Sequence, residues 1–539
     1  MSIPIMQPQM RGKMLASTSY QAASRTSVEI GSYRPPLRDA DGAILPERRL
    51  IDTRMRDMDR NSGWVHGGVT KKLDKVVGAA IKPKLMPDWT ALGITYKQAT
   101  ELRRQMEGAF KIWARDPRKN CDAARKLTFG QIVRVLYAHW IIDGRCVALP
   151  LWLPRYGATF RTAIQVVDPM RLTNPNSKPD SRYLKSGIEL DQYGGHVAFN
   201  FQKRHPGTML MGQGAQDLLT WERVPAYTRW GRPRVIYGYE QRLAEQTQGV
   251  SQLVSVLKKS RMLENYDDLE LHAAATSALL AFAVKSNLPS EQLFGQMFGA
   301  PDDDSSGMAA LEEFVEFTQA FRENNPYSIE GVKVQHLAPG EEIQQIESKH
   351  PNGNFTNAQA AWLRYLVNGL PGLSFEELAN EFSKTSYVGI RAAFNTAWKS
   401  VEAEREMFSE MVLTPIVDLV IEEAIDLGLV QIPEGAPPYE LARALYLNVW
   451  WVGPGRGQVD PLKEANARKV ELTTGQITLE DHLAEDGVSA EEHLAQLAEE
   501  ERIRRELELP SIFENSAADT MPADEPEDTG TQQSQGGEF

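Results

Sequence analysis

The sequence predicts a mainly helical α+β protein built from several units. Three observations carry that expectation. Long segments in both halves place apolar residues at i, i+3, i+4 spacing. A middle stretch from Cys146 to Phe201 breaks into short β-branched and aromatic runs cut by Gly, Pro and Asn. The length, 539 residues, suffices for roughly three to four units of about 150 residues, each with its own core.

Composition narrows the classes. A hydrophobic content of 42 % with 11 Trp belongs to an ordered protein, and a formal charge of −13 argues against wrapping nucleic acid with a broadly basic surface. Cys121 and Cys146 are too few for a disulfide framework, which points to a reducing compartment. No secretory signal is recognised at the start. The longest apolar stretches are Ala273 to Val284, too short to span a bilayer, and Val412 to Val430, which Asp418, Glu422 and Glu423 interrupt. A soluble chain with no membrane partner is expected.

Residues 1–46, rich in Ser, Met, Pro, Gln and Arg, read as a flexible arm that orders only against a partner. The run from Leu50 to Asn61 reads as a helix whose charges of both signs suit an exposed, ion-paired face. Helices follow from Thr95 to Asp116, striped by Leu102, Met106, Phe110 and Trp113, and from Thr128 to Asp143, striped by Ile132, Leu136 and Trp140. Strands are predicted at Cys146 to Trp152, Ile164 to Val167 and Val197 to Phe201, with Tyr193-Gly194-Gly195 as a hairpin turn. From Val250 a helix of roughly 35 residues is expected, ending in the Ala-rich Ala273 to Ala283, apolar on more than one side. Pro289 to Glu347 then reads as strand, helix, strand: an inserted module.

The organising stretch is Asn354 to Gly428. Phe355, Ala358, Trp362, Tyr365 and Leu366 stripe one helix up to the breakers Gly369-Leu370-Pro371-Gly372. Ile390, Phe394, Trp398 and Val401 stripe a second, which begins near Tyr387, continues past Pro415 and closes on Gly428 as a C′ glycine. Between them Ser374 is placed to cap a short turn through Glu376 and Glu377. Farther on come a strand at Tyr446 to Val452, helices from Asp460 to Glu508, and an acidic tail, 511–539, with too little apolar surface to fold.

Catalytic motifs are thin. No phosphate loop is present, and Gly453, Gly455 and Gly457 lack the Lys-Ser/Thr that would reach phosphate and magnesium. Asp302, Asp303 and Asp304 lack EF-hand spacing, and nine histidines stand at no zinc spacing, so neither metal, cofactor nor enzyme is expected.

Several segments resemble one family, the lambda-type phage portal proteins. They are Tyr20-Gln21-Ala22-Ala23; Arg54 to Asn61 with Val77-Gly78; Glu245 to Ser251; Leu337-Ala338-Pro339-Gly340-Glu341; His350-Pro351 through Phe355; Gly369-Leu370-Pro371; Ser386-Tyr387 with Arg391; and Asp460 to Ala465 with Gly475, Thr478 and Gly487. Each is short, but the set spans nearly the whole chain in family order. Gln248 stands where the family tends to have a basic residue, and Gly389 where it favours serine.

The resemblance implies a ring of about twelve copies with a central channel at one capsid vertex, through which double-stranded DNA is packaged and ejected; a ring would multiply any phosphate affinity by its copy number, so an acidic chain suits a conduit. It implies an arm (1–46), a wing (47–249), a stem helix (250–285), a clip (286–347), a second stem helix (348–370), a tunnel loop (371–386), a wing return (387–458), crown helices (459–510) and a tail (511–539). The tunnel loop would face DNA with Ser374, Glu376, Glu377, Glu381 and Lys384, and the clip would dock partners through Asp302, Asp303 and Asp304. Those partners are the terminase large subunit, the major capsid or scaffold protein and the head–tail connector proteins. The virion is the implied location, after assembly in the host cytoplasm. A generic ring scaffold or adaptor, or an enzyme acting on nucleic acid, are the alternatives.

Overall fold

The computed structural model describes residues 20–25, 27–208, 217, 219–279, 283–286, 316, 320, 341–344, 355–383, 385–455, 461–485 and 490–509. In chain order the helices are α1 (Ala40–Ile44), α2 (Arg48–Asn61), α3 (Gly63–Val76), α4 (Tyr96–Ala114), α5 (Phe129–Ile142), α6 (Leu257–Leu279), α7 (Phe355–Val367), α8 (Phe375–Ala379), α9 (Tyr387–Phe408), α10 (Thr414–Asp426), α11 (Arg443–Tyr446), α12 (Pro461–Thr474), α13 (Leu479–Glu485) and α14 (Ala490–Glu506). The strands are β1 (Lys82–Leu85), β2 (Arg145–Trp152), β3 (Thr162–Val167), β4 (Leu184–Lys185), β5 (Ile188–Leu190), β6 (His196–Gln202), β7 (Trp221–Pro225), β8 (Ile236–Tyr239), β9 (Ala283–Ser286), β10 (Glu341–Gln344) and β11 (Val449–Val452). Two compact units result: residues 1–57, 73–252 and 401–539 form one, residues 58–72 and 253–400 the other.

In the first unit α5 and β2 set the core. Helix α5 buries Phe129, Ile132, Val133, Leu136, Tyr137, Trp140 and Ile141, more than one stripe, and a capping box between Thr128 and Gln131 starts it. Strand β2 pairs antiparallel with β3 and β8, and β4 to β7 form a second antiparallel sheet. Val147, Val167, Phe199, Phe201, Val224 and Tyr237 join both sheets in one apolar cluster. The opposite face of β8 is open at Gly238, where a Cβ would meet Val412 Cγ2 at 2.5 Å and the Trp140 ring at 3.3 Å. Only glycine lets β8 approach that closely. Farther along, Phe110, Trp113 and Phe129 form an aromatic cluster, and Trp113 Nε1 donates to the Thr162 carbonyl at 2.8 Å.

Two clusters of paired charge are buried in this unit. Arg145, 0 % exposed, is held by Asp52 at 2.5 Å and donates to the carbonyls of Asp143 and Gly249. Arg56 bridges Asp143 and Asp168 at 2.7 to 2.9 Å, and His139 Nδ1 lies 2.6 Å from Asp143. Burial raises the Asp143 carboxyl, but hydrogen bonds with His139 and Arg56 outweigh it and hold the group well below the usual carboxylate range. Gln248 is fully buried and accepts from Tyr237 Oη at 3.0 Å.

The second unit packs α6 against α7, where the Tyr266 ring meets Phe355 and Trp362 at 5.7 and 4.9 Å and Lys259 Nζ sits 3.7 Å over the Tyr365 ring. Strand β9 pairs antiparallel with β10.

Several sequence expectations change. The arm's end is anchored: α1 brings Asp41, 2 % exposed, to accept from Thr247 N at 2.9 Å and from Lys185 Nζ at 2.7 Å, so this stretch orders against its own chain. The charges of α2 divide: Arg49, Arg54, Asp57 and Arg60 are exposed as expected, while Asp52 is buried on Arg145 and Arg56 is half-buried between Asp143 and Asp168. The Ala-rich helix expected to reach Ala283 is helical to Leu279, while Ala283 itself begins β9, because a pairing strand offers that backbone a ladder. Of the strand expected at Tyr446 to Val452, Tyr446 ends the helical turn α11 and the strand itself is Val449–Val452. Helix α3 was not anticipated; Gly63, Gly67 and Gly68 weaken its local signal. Between α9 and α10 a π-helical segment, Ser409–Leu413, precedes Pro415, so the missing proline N–H falls where the helical register already shifts. Gly428 at φ +73° follows α10 as expected.

Candidate functional site

The segment that sequence reasoning singled out is framed in the second unit by α7 and α9. After α7, the Leu373 amide closes a turn on the Leu370 carbonyl at 3.2 Å, and Leu370, Leu373 and Leu378 are buried. Three buried leucines within nine positions anchor the segment by apolar area, each worth about 1.5–3 kcal/mol.

Helix α8 is a single capped turn. Ser374 Oγ accepts from the Glu377 amide at 3.3 Å, and Glu377 Oε2 accepts from the Ser374 amide at 2.8 Å: the capping box read from the sequence. Asn380 ends the helix in the left-handed conformation, φ 52°, where its short amide is tolerated. Arg364 on α7 lies over the Phe375 ring at 4.5 Å. Beyond, Ser386 starts α9, with its Oγ accepting from the Gly389 amide at 3.3 Å. Gly389 therefore receives, through its backbone alone, the local cap its position requires.

The three predicted carboxylates occupy different environments. Glu377 is used by the cap. Glu376 accepts from Thr385 Oγ1 at 3.4 Å, and Glu381 accepts from Ser383 Oγ. All three are half-buried rather than extended into solvent. Lys384, Asp302, Asp303 and Asp304 lie outside the described residues. Sequence reasoning missed Lys71, whose ammonium donates to the carbonyls of Glu377 and Leu378 and to Asn380 Oδ1. A partner 306 positions away leaves no local signal.

Beside α8 runs an open groove of about 560 Å³, lined by Leu373, Phe375, Glu376 and the small residues Ala392, Ala393 and Thr396 of α9. In the first unit a second hollow, of about 480 Å³, is lined by His196, Tyr227, Tyr237, Met411, Asp418 and Arg443. Two of its charges are already paired: Arg443 bonds Asp418 at 2.9 to 3.0 Å and Glu422 at 2.9 Å, and Tyr439 Oη donates to Asp418. Among the described residues no group of three or more His, Cys, Asp or Glu is placed to hold a metal ion, and no helix is long and apolar enough to cross a membrane.

Comparison with known proteins gives a consistent result. The model of the family "Phage portal protein, lambda family" matches residues 26–405. The portal protein of Escherichia phage N15 is 28 % identical over 479 residues, and portal protein B of Escherichia phage lambda 27 % over 479; each alignment covers 88 % of both chains. Among solved structures, a chain of the native gene transfer agent virion aligns over 87 % of this chain and 100 % of its own at a TM-score of 0.39 and 11 % identity, a likeness too loose to bear on the argument.

Proposed function

The chain belongs to the lambda family of phage portal proteins, and from that premise we propose that about twelve copies close into a ring at one capsid vertex, a conduit for double-stranded DNA during packaging and ejection. On this reading the portal protein is a structural part of the virion, assembled in the host cytoplasm. Residues 47–249, returning through 387–458, supply the wing, residues 250–285 and 348–370 the stem, residues 286–347 the clip, and residues 459–510 the crown.

Closure through heterologous contacts is supported by apolar surface on α6: Met262, Leu269 and Leu271 are 52, 66 and 71 % exposed on one helix. A closed ring covers such surface with the next copy, whereas a monomer leaves it in water. The channel reading is carried by the segment 373–386, which gathers Glu376, Glu377 and Glu381 on and beside one capped turn at the position that the family resemblance assigns to the tunnel loop. Repeated around a ring, these carboxylates repel phosphate and let DNA slide, while Lys384 makes brief contacts. The clip, with Asp302, Asp303 and Asp304, docks the terminase large subunit and afterwards the head–tail connector proteins; the wing meets the capsid or scaffold protein.

The test is mass measurement with class averages of the purified protein. Closed rings with a central hole are expected, and a monodisperse monomer at micromolar concentration would overturn the proposal. Deleting Pro301 to Gly307 separates docking from assembly: rings persist and packaging fails. Loss of rings with packaging intact in the remainder would make this stretch an intersubunit contact instead.

A further inference from the structure

Helix α8 has five residues, far below the roughly 12–15 that an isolated helix needs to persist in water. Its N-terminal cap is local, made between Ser374 and Glu377, and travels with the segment wherever it goes. What fixes α8 against the rest of the second unit must come from outside the segment: α7 places Arg364 over the Phe375 ring near its start, and α3 holds its end.

One turn apart on α3 stand Gly68 and Lys71. A Cβ at Gly68 would meet Leu370 Cδ1 at 2.5 Å and Leu378 Cδ1 at 3.2 Å, so the glycine admits one leucine from the turn before α8 and one from α8 itself. Lys71 then reaches the C-terminal end of α8. Its ammonium donates to the Glu377 carbonyl, to the Leu378 carbonyl at 3.3 Å and to Asn380 Oδ1 at 2.7 Å. Those carbonyls belong to the last turn, where helix oxygens lack intrahelical partners and the dipole presents its negative end. All three acceptors are neutral, so no carboxylate need be near for the ammonium to be held. A tetrahedral donor with three protons serves three oxygens from a single nitrogen.

We propose that Lys71 is the positioning residue of the channel segment: its ammonium ties the C-terminal end of α8 to α3 and so sets where Glu376 and Glu381 stand. The tether is independent of what the segment does; its consequence for DNA rests on the channel reading.

The experiment replaces the ammonium and then restores it. In Lys71→Cys, amide exchange across residues 378–386 of the purified full-length protein rises about tenfold or more, the loss of roughly one net charge-assisted hydrogen bond. The global melting transition stays at its parental value. Alkylation with 2-bromoethylamine, in which the thiolate displaces bromide, rebuilds a lysine-like ammonium and returns exchange to the parental rate. Capping the same thiol with a methylthio group does not. Cys121 and Cys146, each 1 % exposed, stay unmodified. Unchanged exchange in Lys71→Cys, or equal rescue by the neutral cap, would overturn the tether. Packaging by particles carrying the three forms is the second readout, expected to fall and return with the ammonium. If exchange behaves as stated while packaging stays parental in all three, the tether stands and the channel reading falls.

Discussion

Replacing Glu376 and Glu381 by Lys, with Glu377 left in place, tests the channel reading by charge alone. Glu377 must stay because its carboxylate accepts the Ser374 amide at 2.8 Å; losing that cap would cost about 1 kcal/mol and confuse the outcome. Glu376 lies in the first turn of α8, where a cation is disfavoured by about 0.3–1 kcal/mol, and its bond from Thr385 at 3.4 Å is too long to add much. The Glu381 bond to Ser383 spans only two residues and ties nothing distant. These local effects together cost about 1 kcal/mol, small beside the roughly 5–15 kcal/mol of a typical domain, so rings assemble. The effect on DNA is larger. Each lysine that meets a phosphate steepens the salt dependence by about 0.9, so raising salt from about 50 to about 200 mM weakens one contact about 3.5-fold and two per copy about tenfold. Packaging by particles built from the variant should therefore be slow at low salt and recover as salt rises. Parental packaging at low salt would refute the reasoning, and slowness that salt does not relieve would trace the defect to structure instead of charge. The neutral pair Glu376→Gln and Glu381→Gln should package at nearly the parental rate at both salts.

Three further outcomes follow from the first unit. Asp52→Ala leaves Arg145 buried without its carboxylate and should lower stability by about 3–5 kcal/mol in denaturant titration, whereas a loss under 1 kcal/mol would show that water reaches the guanidinium. Asp143, lowered by His139 and Arg56 against the opposing effect of burial, contributes stability that is complete above its unfolded pKa of about 3.9 and is lost as pH falls below it; melting curves from pH 6 down should drop steeply in that acid limb, and Asp143→Asn should flatten it. Burial, with the charges of Asp122 and Asp116, pushes the Cys121 thiol up to about 11, and burial raises Cys146 further, so at pH 8 about a thousandth of Cys121 is thiolate. A thiol reagent should count no reactive cysteine in the native protein and two on unfolding; prompt native reaction would contradict the burial of both.

The sequence alone determined what depends on neighbours along the chain. The stripes of α4, α5 and α9, the hairpin turn at Tyr193-Gly194-Gly195, the capping box of Ser374 and Glu377 and the C′ glycine at 428 all arise from residues within a few positions, where period and cap chemistry leave a readable mark. The ordered family motifs identified the lineage in the same way, since each is a short string. Tertiary structure decided the rest. Asp41 docks on Thr247 and Lys185, Arg145 finds Asp52, α3 forms despite three glycines, and Lys71 grips α8 across 306 positions. None of these pairs has a period or a spacing, because what joins them is the need of a buried charge or an orphan carbonyl for a partner, and that need is met by proximity in space, wherever the chain happens to supply it.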